Sequence, residues 1–106
     1  MTTQSQPSAL AITVVPAEVP RDWKPLYAVL RGLTAEMGSF MFMRYANQAV
    51  SPVDGRGGTA GLYLYKHRDT RRYLNVDGAG NCWKYDSDTG TYRPISRSQA
   101  LQEAYS

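Results

Sequence analysis

The sequence predicts an α+β fold, a single domain in which an antiparallel β-meander carries one main N-terminal helix and a short C-terminal helix. Two observations predict it. Between Gly61 and Ser96, short aromatic and β-branched runs alternate with the turn residues HRDT, DGAG and DSDTG, as in a succession of hairpins. Ahead of that stretch, Trp23, Leu26, Tyr27, Leu30, Leu33 and Met37 recur at helical spacing. A chain of 106 residues holds one hydrophobic core and leaves no room for a second domain.

Taken in order, residues 1–8 are polar, uncharged and aperiodic, so a disordered tail is expected, followed by a domain over 9–106. Ala9 to Val15 reads as a strand closed by Pro16 and Pro20. It is too short to cross a bilayer and no Lys or Arg precedes it, so neither a membrane span nor a signal peptide is expected. Asp22 is placed to N-cap a helix from Trp23 to Met37, with Pro25 in its first turn and Gly38 as its stop. Ser39 to Ala46 reads as a strand with Phe40 and Phe42 on one face and Met41, Met43 and Tyr45 on the other. Residues 47–60, which include Pro52, Gly55, Gly57 and Gly58, read as a flexible connection. Four meander strands follow. Arg97 to Tyr105 then closes the chain as a helix, with Ser96 as its N-cap.

Net charge is +3 and nine of the twelve basic residues are Arg, which suits an anionic partner without demanding one. Cys82 is the only cysteine, so an internal disulfide and a multi-cysteine zinc site are excluded, and a reducing, cytoplasmic location is expected. Asp86, Asp88 and Gly90 lack the further oxygen ligands of a calcium loop and are explained as a hairpin turn. No phosphate-binding glycine loop is present, and no cofactor or metal is expected.

The functional expectation comes from the two faces of the meander. Strand alternation sets Tyr63, Tyr65 and His67 against Leu62, Leu64 and Lys66, and Arg71, Tyr73 and Asn75 against Arg72, Leu74 and Val76. With the aliphatic sets against the helices, Tyr63, Tyr65 and Tyr73 face outward beside Arg71, joined by Lys84 and Arg93 if the register is simple. Lys66, His67, Arg68, Arg71 and Arg72 make the first turn the most positive point of the chain. Tyrosines among cations stack on bases and neutralise phosphates, so a nucleic acid is the first expected partner, DNA ahead of RNA. The same pattern also serves a sheet that needs only cross-strand packing and protected edges. The second expectation is a protein partner, or a second copy of the chain, on Met41, Met43 and Tyr45, as in an inhibitor, adaptor or accessory protein of a phage or mobile element. The third is a metal-independent ribonuclease using His67 with Arg68, Arg71 or Arg72, for which no glutamate is marked as general base.

From Arg72 onward the order RYLNV, DGAG, CWKYD, SDTG, TYRPI and the helix RSQALQEA resembles the three-stranded, arm-type DNA-binding domain of tyrosine recombinases. In that family the sheet enters the DNA major groove. The resemblance covers residues 72–105 and implies a stand-alone DNA-binding or accessory module, without recombination chemistry, in which Lys84, Tyr85, Tyr92 and Arg93 lie on or beside the reading strands.

Overall fold

The computed structural model describes residues 19–53 and 56–106, so the expected tail and the strand expected at Ala9 to Val15 lie outside the described residues. The chain forms an α+β domain built on a five-strand meander. Its strands are β1 (Phe40–Val53), β2 (Arg56–His67), β3 (Tyr73–Asp77), β4 (Cys82–Asp86) and β5 (Thr91–Ile95). Each pairs antiparallel with the next. One parallel bridge, Val50 to Tyr92, closes the sheet into a barrel.

The three turns fall where the sequence places them. HRDT joins β2 to β3, DGAG joins β3 to β4 and DSDTG joins β4 to β5. In DGAG, Gly80 takes φ 88°, and the Asp77 carboxylate accepts from the Ala79 and Asn81 N–H groups, so the turn is held by its own first residue. The C-terminal helix α2 (Arg97–Ala104) also forms as expected, with Ser96 Oγ accepting from the Gln99 N–H at 3.0 Å.

The N-terminal helix is shorter than the periodicity predicts. An α-helix, α1, spans Lys24–Val29 only, and the chain continues through Gly32 at φ 64° into a 3-10 turn at Thr34–Ser39. A left-handed glycine reverses the helix end, so Gly32, not Gly38, is the stop. Met37 still packs against the core, which preserved the apolar spacing that suggested one continuous helix. Asp22 does not cap with its side chain; a 3-10 turn at Arg21–Trp23 leads into α1, and the Asp22 carbonyl accepts from the Tyr65 hydroxyl at 2.7 Å.

Residues 47–60 are not a loose connection. β1 runs on to Val53 and β2 starts at Arg56, making one long hairpin whose Gly57, Gly58, Ala60 and Gly61 lie in strand. Gly61 has a steric role there, because a Cβ would overlap the Tyr45 hydroxyl. β1 also carries a bulge at Met43: Phe42 pairs with Tyr65 but Arg44 pairs with Leu64. The extra residue reverses the alternation beyond it and sharpens the local twist, which favours closure.

Both helices pack on one face of the sheet. Leu26, Val29, Leu30, Ala100 and Ala104 meet Phe40, Tyr63, Tyr65, Leu74, Val76 and Cys82 in one core cluster. Leu62 and Leu64 have the opposite strand parity and are also buried.

Candidate nucleic-acid interface

Cross-strand register decides which tyrosines share a surface. Tyr65 pairs with Leu74 and Tyr63 with Val76, so both tyrosines lie among the helix-facing aliphatics, at 0% and 8% exposure. The expectation that they face outward is therefore corrected. Trp23 and Phe42 pack on Tyr65, with ring centroids 5.7 and 5.8 Å away. Burial holds the Tyr65 hydroxyl well above the usual tyrosine pKa, so it stays protonated as the donor to Asp22.

Tyr73 pairs instead with Lys66 and belongs to the far face, the one without helices among the described residues. Register carries Asn75, Trp83, Tyr85, Tyr92, Leu64 and Arg44 to that same face. Tyr73 and Tyr85 are 45% and 49% exposed, Tyr92 is half-buried, and Arg44 is exposed. Tyr85 and Tyr92 are cross-strand partners with ring centroids 5.1 Å apart, and the Lys66 ammonium sits 5.6 Å from the Tyr73 ring centroid. Burial raises the Tyr92 hydroxyl pKa, Tyr85 and Tyr73 push it the same way, and Arg44 opposes them, so the four side chains share one electrostatic neighbourhood. A tyrosine and cation surface is thus present, but of Tyr73, Tyr85 and Tyr92 with Arg44 and Lys66.

Lys84 and Arg93, expected on the outer face, pair with each other on the helix-packed face. The Lys84 ammonium forms an ion pair with the Glu103 carboxylate of α2 at 3.0 Å. That carboxylate is held below its usual pKa, by the Gln99 amide first and then by Lys84. The residues carried over from the recombinase resemblance are consequently divided, with Tyr85 and Tyr92 on one face and Lys84 and Arg93 on the other.

The basic turn after β2 keeps its charge at the surface, where Arg68, Arg71 and Arg72 are all exposed. Arg68 is fixed by donating from Nε to the Gly38 carbonyl at 3.0 Å. Arg71 takes φ 65°, a left-handed conformation that an L side chain adopts at a cost. His67 is buried, and its Nδ1 accepts from the N–H groups of Asp69 and Thr70, both at 3.2 Å. Phe40 and Tyr105 contact the ring edge-on. This imidazole organises the turn, with Nδ1 already engaged, and does not present a free base beside the arginines. Burial pushes the Cys82 thiol pKa up, Asp77 adds to the rise and Arg97 opposes it, which makes this sulfur a poor nucleophile.

The expected protein-docking face is also rearranged. Met41 is half-buried opposite Lys66, Met43 projects at the bulge, and Tyr45 turns to the other face to lie 4.6 Å, centroid to centroid, from Tyr63. The three do not form one patch. Among the described residues no cluster of three or more His, Cys, Asp or Glu side chains is placed to hold a metal, and no helix is long and apolar enough to cross a membrane.

One cleft opens beside the tyrosines. β3 and β4 are joined at only two pairs, Asn75 to Trp83 and Val76 to Cys82, and beyond Asn75 the strands part. The gap has a volume of about 320 Å³ and is lined by Arg72, Tyr73, Asn75, Lys84, Tyr85 and Glu103. Arg44, Asn75 and Glu103 escaped the sequence reading of the site. The signal that was there is the length of the β2–β3 connection: six residues, 67 to 72, separate the pair Lys66 and Tyr73, and an even count sets even-numbered residues opposite odd-numbered ones. Scans of the chain against protein-family models, curated proteins and solved structures returned no match.

Proposed function

We propose that this protein is a non-enzymatic nucleic-acid-binding module that holds a single strand on the far face of its sheet. The observation that carries the reading is the grouping of Tyr73, Tyr85 and Tyr92 with Arg44 and Lys66 on a face that no helix of the described residues covers. Exposed ring faces stack on unpaired bases at about 1–3 kcal/mol each, while neighbouring cations neutralise the backbone. The exposed Arg68, Arg71 and Arg72 extend the positive surface from the strand ends of β2 and β3. In a duplex the base faces are already stacked, so single strands use this surface best, and DNA is the form to test first.

Fluorescence anisotropy with labelled single-stranded DNA, RNA and duplex DNA at low and high salt tests the reading. Binding to single strands should weaken steeply as salt rises, since phosphate contacts release counterions. Preference for duplex would favour the groove-reading mode implied by the recombinase resemblance. Absence of binding at low salt would remove nucleic acid as the partner and leave a protein as the ligand to seek.

A further inference from the structure

The cleft between β3 and β4 contains a polar atom that the fold leaves unused. Asn75 is only 6% exposed, and its Nδ2 donates to the Trp83 carbonyl at 3.2 Å, across the last pair before the strands part. Its Oδ1 is buried and has no donor among the described residues. The amide cannot turn over to cure this, because the Trp83 carbonyl needs the N–H it receives. Nearby donors are engaged: the Lys84 ammonium is bound to Glu103, and the Trp83 indole N–H donates to Asp77 at 3.1 Å. A smaller void of about 30 Å³, lined by Tyr73, Asn75, Trp83, Lys84 and Glu103 among others, adjoins the cleft at the same side chain. Leaving a buried acceptor unpaired is costly, and such a group in a native fold calls for a water or a ligand.

The surroundings define what would complement this atom. Tyr73 and Tyr85, both half exposed, line the cleft from the two parted strands, and Arg72 lines it with positive charge beside the Lys84 and Glu103 ion pair. A flat ring with an N–H donor on its edge, attached to an anionic backbone, meets all three features. We propose that the cleft is a base-reading pocket: one unpaired nucleobase with its exocyclic amine at C4 or C6, cytosine or adenine, enters between Tyr73 and Tyr85 and donates to Asn75 Oδ1. Thymine and uracil present carbonyl oxygens where cytosine and adenine carry the amine, and an oxygen facing Oδ1 is repelled. The inference rests on the single-strand reading above and adds a base preference to it.

Oligo(dC) and oligo(dT) of equal length differ at the relevant ring position by an amine against a carbonyl, so they form the deciding pair. Titrated against the full chain at one salt concentration, oligo(dC) should bind about threefold to tenfold more tightly, the worth of one net hydrogen bond. Asn75→Leu should bring the two affinities together. That variant also removes the tether to Trp83 and could unfold β4, but the wild-type comparison needs no variant. Equal affinities for the two oligomers in the wild type would overturn the base-reading pocket, with a water as the partner of Oδ1, and would leave single-strand binding intact. No binding to either oligomer would overturn both.

Discussion

Replacing His67 with alanine should cost about 2–4 kcal/mol of folding stability, although the residue sits in what the sequence presents as a basic binding turn. Two contributions make up that figure. The Nδ1 atom accepts from Asp69 and Thr70 at 3.2 Å each; the bonds are long and Asp69 is exposed, so water replaces them partly and the pair is worth about 1 kcal/mol. The ring also meets Phe40 and Tyr105 edge-on, with centroids 5.0 and 4.7 Å away, contacts worth about 0.5–1.5 kcal/mol each. His67→Phe keeps the ring and loses the acceptor, so it should cost about 1 kcal/mol. His67→Asn places an amide oxygen near the Nδ1 position and loses the ring contacts, so it should cost about 1–3 kcal/mol. Urea denaturation of the three variants at one pH measures all of this, with unchanged m-values as the check that the native state is the same. Stability of His67→Ala within about 0.5 kcal/mol of wild type, the range of an ordinary surface change, would refute the structural role.

Three further predictions follow from particular residues. Arg71→Gly should stabilise the fold by up to about 1 kcal/mol, because it relieves the left-handed strain at φ 65°; a lower urea midpoint than wild type would contradict that. Thr70 Oγ1 donates to the Ala104 carbonyl at 2.6 Å and accepts from the Arg72 N–H, so Thr70→Val should cost about 1–2 kcal/mol and loosen the end of α2, seen as faster amide exchange at Arg72 and at the residues that follow Ala104. At Asp77, burial by itself would raise the carboxyl pKa, but hydrogen bonds from Asn81, Trp83 and Ala79 outweigh it and the pKa is lowered from 3.8. A lowered carboxyl contributes stability above its unfolded value and loses it as pH falls through the folded one. The stability advantage of wild type over Asp77→Asn should thus hold near neutrality and shrink below about pH 4; an advantage constant down to pH 2 would contradict the carboxylate's role.

What was legible in the sequence is whatever depends on neighbours in the chain. The turns at Asp77 to Gly80 and Asp86 to Gly90, and the cap at Ser96, are read from residue types whose short side chains or missing Cβ fix the backbone locally. The strands and the α+β class follow from the same local signals. What was not legible depends on pairing. Tyr65 and Tyr73 share sequence parity, yet the six-residue connection between Lys66 and Tyr73 sends them to opposite faces. Tyr45 changes face because Met43 bulges, and nothing in FMFMRY announces the extra residue. Gly58 and Ala60 look like linker but lie in strand, since their partners Val50 and Gln48 are supplied by the far arm of the same hairpin. Site composition was visible, as tyrosines and cations in the meander, while the membership of the site had to wait for the register.

The central claim is that the far face, and not merely any tyrosine and arginine, carries the nucleic acid. Two double variants with the same chemical change separate these possibilities: Arg44→Ala/Tyr85→Ala on the far face, and Arg93→Ala/Tyr45→Ala on the helix-packed face. All four side chains are exposed, so neither variant hollows the core. Their affinities for one labelled single-stranded oligonucleotide should be measured beside wild type. The far-face variant should lose about 1–3 kcal/mol of binding free energy and lower the salt slope by about 1, while the other stays close to wild type. Equal losses in both variants, or a loss confined to Arg93→Ala/Tyr45→Ala, would contradict it.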